Sequence, residues 1–502
     1  MPVTIRMAIR NLAAHKAKSL IVGTLLALGV LILVLGNSFL DASRRGIERS
    51  FTRNYTADLI VTGKADGPVS LFGVQSVGGL EETPIVPEYE KVFEHIAALP
   101  GVAALTGSAS GFGLITSEGQ TLEEAAEDEG DDEDASNAFV MLFGVDAQNY
   151  WSVFPTLEMA QGSFIEPGKP GIMVEDSRLE RISKRLKRDV KVGDEILIQG
   201  LGATGIRLRS VPIVGTYRQP ADGANPEQLS YIDIDTLRVL SGMTVGANAA
   251  VSLSAEQTEL LQLDDLDSLF SDDFFALDEA EATAPVSFDL DAILGDTSAA
   301  ERLNEADRGA WHSILVRLEP GRSAKAVVAE LNAWFAQEGI AAEAGDWQKA
   351  AGPYAQSVDV LRIVFTIAIV ILAVVAIIII MNTMVVSVIE RTGEIGTMRA
   401  VGAGRGFVRS MFAAETTVLS LAFGVVGMAL SFITAGILNA VKIEAGNQFF
   451  EILFGGKLLS LLIDPVSVVL SLVMILAVGL VAHFYPVAVA LRIQPVRAMQ
   501  TE

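Results

Sequence analysis

The sequence predicts a membrane protein, with four transmembrane α-helices plus a large extracytoplasmic α+β domain between helices 1 and 2. Three observations lead there. Four runs are apolar over the roughly 20 residues that a helix needs to cross a hydrocarbon core about 30 Å thick. The chain of 502 residues is 50% hydrophobic yet carries a formal net charge of -24. Counting by region resolves the conflict: residues 41–357 hold 24 Lys+Arg against 53 Asp+Glu, and the remainder holds 13 against 8. Finally, the acidic block alternates short β-rich segments with helical patterns, separated by turn residues.

The first span is SLIVGTLLALGVLILVLGNSFL, 19–40, preceded in residues 1–18 by Arg6, Arg10, Lys16 and Lys18. A signal peptide shares this outline, but the apolar core here is long and no A-x-A site follows it. Gly23, Gly29 and Gly36 lie along the span. Small residues there permit either close helix packing or a lateral gap.

Within 41–357, ADLIVTG (57–63), FVMLFGVD (139–146), KVGDEILIQ (191–199), VPIVGTY (211–217) and SILVRLEPG (313–321) read as strands. Residues 87–102 and 324–339 read as helices, with Val92, Ile96 and Leu99 on one face and Val327, Leu331 and Phe335 on the other's. Two acidic insertions interrupt the pattern. Residues 117–135 have ten acidic residues and no basic one; residues 255–308 have sixteen acidic and two basic. Self-repulsion and sparse packing residues predict solvated loops, although the second holds enough Leu and Phe for a short partner-binding helix. Neither fits the calcium-loop pattern.

The second span, 358–386, is followed by a basic, glycine-rich loop at 387–410 and a third span at 411–441. A loop at 442–463 leads to the fourth span, 464–491, and a tail at 492–502. Positive charge in short segments marks the cytoplasmic side. It gathers in 1–18, in 387–410 (Arg391, Arg399, Arg405, Arg409) and in the tail (Arg492, Arg497). Both termini and the glycine-rich loop are therefore expected in the cytoplasm, and 41–357 outside a plasma (inner) membrane. Glu415, one turn into the third span, is expected to pair with Arg409 or Arg399, because a lone carboxylate is costly in a membrane.

Catalytic chemistry is not expected. The chain has no cysteine, which excludes disulfides and thiolate sites. His15, His95, His312 and His483 fall in four separate segments, none at i, i+4 from another. His483, near the end of the fourth span, reads as an interfacial polar residue. A phosphate-binding G-x-x-x-x-G-K-[ST] loop is absent from the sequence. No enzyme activity, metal, cofactor or nucleic-acid partner is expected for this chain.

The glycine-rich loop holds Gly393, Gly396, Gly402, Gly404 and Gly406. Each glycine costs a helix about 0.5–1 kcal/mol relative to alanine. Their small size also lets another backbone approach. A short helix carrying Gly393 and Gly396, with Ile395 and Met398 beside them, suits docking into a groove on a partner; a flexible hairpin is the plainer alternative.

NTMVVSVIERTGEIGTMRAVGAGRGFVRSMFAAE (382–415) resembles the signature of the FtsX-like/MacB-like ABC transporter permeases. The match rests on Asn382, Thr383, Ser387, Glu390, Arg391, Glu394, Ile395, Gly396, Arg399, Ala400, Gly402, Ala403, Phe412 and Glu415. RNLAAHKAKSL (10–20) resembles the family's amphipathic amino-terminal helix. GIMVEDSRLERISKRLKRDVKVGDEILI (171–198) and YIDID (231–235) resemble its MacB-like periplasmic core domain, and YPVAVALRIQPVRAM (485–499) its closing motif. Ala488-Val489 replaces the usual basic pair there, and the acidic insertions enlarge the outer domain.

The resemblance implies a coupling helix between spans two and three, mechanotransmission, and a cytoplasmic ABC ATPase dimer carrying ATP-Mg. It also implies a second permease copy or paralogue. Carried over residue by residue, ATPase coupling falls to Glu390, Arg391, Glu394, Ile395, Gly396, Met398, Arg399 and Gly402. The expected function is a permease subunit that moves or releases an amphiphile, lipoproteins being the first choice. The alternative is a signalling permease that regulates an extracytoplasmic cell-wall hydrolase.

Overall fold

The structure, a computed structural model, describes residues 3–14, 16–74, 82–116, 139–202, 205–218, 229–245, 305–454 and 456–492. His15, the acidic stretch 117–135, most of 255–308 and the tail from 493 lie outside these residues. The chain divides into a helical unit (Met1–Ala57, Gln219–Glu227, Asp346–Glu502) and an α+β unit (Asp58–Arg218, Gln228–Gly345). Residues 41–57 and 346–357, grouped with the outer block by charge, thus fall in the helical unit.

The helical unit opens with α1 (Val3–Ala14) and α2 (Lys16–Asn54). The α+β unit then supplies β1 (Leu59–Gly63), β2 (Val69–Ser70), β3 (Gly73–Val74), α3 (Tyr89–Ala97), β4 (Val102–Thr116) and β5 (Phe139–Val145). Next come α4 (Tyr150–Val153), β6 (Glu158–Gly162), β7 (Ile172–Glu175), α5 (Asp176–Arg185), β8 (Glu195–Gly202) and β9 (Gly205–Arg218). It closes with β10 (Leu229–Asp233), α6 (Ile234–Leu240), β11 (Ser313–Leu318), α7 (Ala324–Glu338) and β12 (Ala342–Asp346).

Ten of these strands form one sheet in the order β12-β1-β11-β4-β5-β10-β7-β9-β6, with β8 pairing both β4 and β9. The long β4 makes this possible. Its first half pairs β11 (Ser108↔Ser313) and its last residues pair β8 (Ile115↔Ile198). Pairings β4–β5, β5–β10, β10–β7, β7–β9, β9–β8 and β8–β4 therefore close into a circuit. Closure removes edges that would otherwise offer unpaired backbone groups.

Period-two alternation divides the side chains. Val140, Leu142, Ile172, Val174, Ile196, Ile198, Val211 and Ile213 share a core with Ile182 of α5 and Leu237 and Leu240 of α6. On the intervening positions, Phe143 sits in register with Tyr231, and Tyr150, Trp151 and Tyr217 join an aromatic cluster around it. A second aliphatic core puts Val92 and Ile96 of α3 and Val327, Leu331 and Phe335 of α7 with Leu59, Val61, Ile314 and Val316. Asp233 caps α6 by accepting from Thr236 N at 2.9 Å, and also accepts from Gly171 N at 2.9 Å.

The ends of the longer insertion meet. Val245 N donates to Glu305 O at 3.0 Å, Asp307 N donates to Met243 O at 3.0 Å, and Thr244 bridges Ala306. Arg238 fastens this base by donating to the carbonyls of Arg308 and Ala310, and its guanidinium lies 4.6 Å from the Trp311 ring centroid.

The helical unit resumes with α8 (Trp347–Ala351), α9 (Pro353–Glu390), α10 (Thr392–Ala400), α11 (Arg405–Val441), α12 (Gln448–Phe454), α13 (Pro465–Ala482) and α14 (Phe484–Arg492). Among the described residues, four helical stretches are long and apolar enough to cross a membrane: Lys16–Asn54, Pro353–Glu390, Arg405–Val441 and Pro465–Leu491. The 39 residues of α2 span about 58 Å, well beyond a hydrocarbon core. Its polar end is tied to α9 by Arg362–Asp41 (3.1 Å) and by Phe51 against Tyr354 (5.0 Å). The core repeats at helical spacing: Val22, Leu26, Val30 and Val34 face Ala376, Ile380, Met384 and Val388, with Met411, Phe412 and Leu419 alongside. The fourth apolar stretch breaks at His483 rather than running unbroken. Pro486 has no N–H to give the Ala482 carbonyl four residues back, which interrupts the helical ladder at this turn.

His312 is 6% exposed, and its Nδ1 accepts from Ser110 N at 3.2 Å. Burial pushes its pKa down to about 4. Between that value and the unfolded value of about 6.5, the unfolded chain binds more protons, so stability rises with pH and is fully present above about 6.5. This contribution amounts to about 3 kcal/mol. Unfolding followed across that window should show His312→Gln with a flatter pH dependence than the parent. Parallel profiles would rule out His312 as the source.

Candidate functional site

The junction of α9, α10 and α11 gathers most of the signature residues. α9 ends at Glu390, and Arg391 bends the chain into α10. Gly402, at φ 110°, then reverses direction toward α11, a backbone setting that side chains disfavour. Gly402 and Gly404 lie in this four-residue connection, and α10 is helical over nine residues despite Gly393 and Gly396. Tertiary packing supplies what propensity withholds.

That packing is internal. Ile395 and Gly396 are buried, Ile395 within the unit's own core, and Met398 packs against it. Arg399 donates to the Leu491 carbonyl at 3.3 Å, tying α10 to α14. The outward surface is made instead by Gly393, Glu394, Thr397 and Val401, the last 85% exposed. Periodicity alone does not say which face of so short a helix turns inward. A bulky residue at Gly396 would disturb this chain's own fold, so a docking test belongs at Gly393 or Val401.

Arg391 is 5% exposed and joins four elements. Its guanidinium donates to Glu394 of α10 at 3.0 Å and lies 3.6 Å from the Glu415 carboxylate of α11. With its amide turned to satisfy both groups, Asn11 of α1 accepts from the same guanidinium at 2.8 Å. Sequence proximity suggested Arg409 or Arg399 for Glu415; the structure adds Arg391, 3.6 Å from its carboxylate. Beside it, Lys18 pairs with Glu390. Asn11, Lys18 and Leu491 were not foreseen, because nothing local to their sequence signals the contact.

The three glycines of α2 differ. A Cβ at Gly23 would strike the Phe423 ring, and one at Gly36 the Phe365 ring. At Gly29 it would meet only Leu372 at 3.7 Å and Ile475 at 3.9 Å. Gly29 lines a small, partly open apolar crevice between α2, α9 and α13, with Leu33, Phe365, Leu372, Met474 and Val478 among its walls.

Removing one member of a buried ion pair strands the other, typically at about 3–5 kcal/mol. Glu415→Gln and Arg391→Gln should each lower stability by about 3 kcal/mol in thermal unfolding of the purified protein. The double variant should lose less than the sum. Additivity within about 0.5 kcal/mol would show that the two residues act separately.

Residues 20–263 match the family model of the MacB-like periplasmic core domain, and residues 366–495 match that of the FtsX-like permease C-terminal domain. The ABC transporter permease YknZ of Bacillus subtilis (strain 168) is 31% identical over 123 residues, 24% of this chain and 27% of that protein. The macrolide export ATP-binding/permease protein MacB 1/2 of Paracoccus denitrificans (strain Pd 1222) is 32% identical over 121 residues, 24% of this chain and 16% of that protein. The chain thus matches about a quarter or less of the length of these curated relatives. The periplasmic region of MacB from Actinobacillus actinomycetemcomitans is 10% identical with a TM-score of 0.30, covering 60% of this chain and 91% of that structure. With one family model on the acidic block and another on the later apolar helices, the chain belongs to the FtsX-like/MacB-like ABC transporter permeases.

Proposed function

We propose that this chain is a mechanotransmitting permease subunit. ATP turns over on a separate cytoplasmic ATPase dimer that holds ATP-Mg, and the permease uses the resulting motion to move or release an amphiphile. The observation that carries the coupling half is the division of α10. Its inner face is locked by Ile395, Gly396 and Arg399 to the apolar helices, and its outer face offers Gly393, Thr397 and Val401. A push on the outer face reaches α9, α11 and α1 through Arg391. A second copy or a paralogue completes the assembly. The basic segments at 1–18 and 387–410 favour cytoplasmic termini and a cytoplasmic α10, with the α+β unit outside the inner membrane.

Lipoproteins are the first cargo. Support comes from the crevice at Gly29 and Leu33, whose wholly apolar side-chain lining suits a hydrocarbon chain. The Paracoccus relative is named for macrolide export, which makes a macrolide the competing cargo.

Val401→Glu and Gly393→Trp alter exposed positions, so both variants should insert normally. Co-purification of the ATPase should nonetheless fall about tenfold, the loss expected for about 1.4 kcal/mol of docking energy. A cysteine at Thr397 should react with an impermeant reagent only in inverted membranes. Undiminished co-purification, or labelling of Thr397 in intact cells, would refute the coupling assignment.

Leu33→Trp fills part of the crevice and should slow lipoprotein release while the ATPase stays bound. Depletion of the protein should leave outer-membrane lipoproteins in the inner membrane. Normal lipoprotein distribution would reject this cargo. Loss of cell-wall hydrolase activity would then favour the signalling role, and macrolide sensitivity the export role.

A further inference from the structure

In an acidic unit, α5 and the loop after it are the basic exception. Arg178, Arg185 and Arg188 are engaged with backbone: Arg178 donates to the Phe139 carbonyl, Arg185 to Ile115 O at 3.0 Å and Arg188 to Glu195 O at 2.5 Å. Lys191 pairs with Asp189 at 2.7 Å. Arg181, Lys184 and Lys187 are exposed, and none of them forms an ion pair among the described residues. Arg209 of β9 extends the basic surface. It is in register with Ile198 of β8 and, through it, with Ile115 of β4, on the sheet face that Ile182 of α5 covers.

Two of the carbonyls held by α5 have a special place in the chain. β4 ends at Thr116, one residue after Ile115, and β5 begins at Phe139. Between them runs the segment with ten acidic residues and no basic one in 117–135. Arg185 and Arg178 therefore fasten its two ends beside three cations that have no counter-charge among the described residues.

We propose that the acidic segment 117–138 docks on the basic face of α5, with Arg181, Lys184 and Lys187 supplying the counter-charges. Reach is not limiting. The ten residues of α5 measure about 15 Å, and extended chain covers about 3.3 Å per residue from each anchor. Tethering at both ends raises the local concentration of carboxylate to about the millimolar range, and ten acidic residues can engage the three cations together. The other acidic insertion leaves from the end of α6 and returns ahead of β11, and α5 holds neither of its ends. The segment's own stems thus make it the occupant. Because the pairs lie at the surface, salt should release it.

Carbodiimide coupling of the full-length protein in detergent tests this, since it joins an amine to a carboxylate only when they touch. Lys184 or Lys187 should link to carboxylates within 117–135. Raising NaCl from about 0.05 M to about 0.5 M should cut the yield roughly tenfold. Lys91 and Glu338, 2.9 Å apart on the same unit, provide the internal positive control. Links from Lys184 and Lys187 to 255–304 instead, or to no carboxylate while the control links, would overturn the proposal. In a second measurement, Arg181→Gln/Lys184→Gln/Lys187→Gln should raise cleavage within 117–138 by a glutamate-specific protease about tenfold at low salt. An unchanged rate would also overturn it.

Discussion

The helical unit depends on how closely α11 and α9 approach α2. Lipid tails are as apolar as leucine, so no hydrophobic drive pulls helices together in a bilayer; contact dispersion does it, and needs surfaces that meet. Both helices seat a ring over a glycine of α2, and α11 also turns a glycine of its own toward α2. Phe423 of α11 seats over Gly23, while Gly427 of α11 leaves space for the backbone of α2, where an added Cβ would lie 2.5 Å from the Ala27 carbonyl. Phe365 of α9 seats over Gly36. Glycine on one side and ring on the other give interlocking contacts, and the aliphatic core at fourfold spacing fills the interval.

The same approach positions the charged junction. Arg391 can be buried because Asn11, Glu394 and Glu415 come from three different helices to meet it. Each helix brings its polar group only if the apolar packing above it holds. The crevice at Gly29 is the complement of this packing. It opens where small residue and ring do not interlock, and Gly29 lacks the partner that Gly23 and Gly36 possess.

Much of this architecture was legible in the sequence. Hydropathy marks the four apolar helices because a stretch of twenty apolar residues has few other uses. Alternation marks β1, β5, β9 and β11, and helical spacing marks the inward faces of α3 and α7. β4 was missed: VAALTGSASGFGLIT is rich in Gly, Ala and Ser, which carry little strand signal. Its Gly111 serves contact instead, since Leu237 of α6 sits close over it and over Gly144 of the neighbouring β5. The circuit closed by β8 is a pairing between distant segments, which local pattern does not encode. In the junction, the residue types at 390–415 were readable, but the burial of Gly396 and the pairing of Arg391 with Glu415 depend on a fold three helices wide.

The meeting of Val245 with Glu305 and of Met243 with Asp307 bears on how this chain can evolve. Since entry and exit of the longer insertion share one clamped base, its length is decoupled from the sheet. Closing a loop grows dearer only with the logarithm of its length, about 0.6 kcal/mol per doubling. Sequence can therefore be added, lost or exchanged between 246 and 304 as a cassette, with the strands on either side under no pressure to change. Variation that would disrupt most positions of a closed sheet has here a place to accumulate.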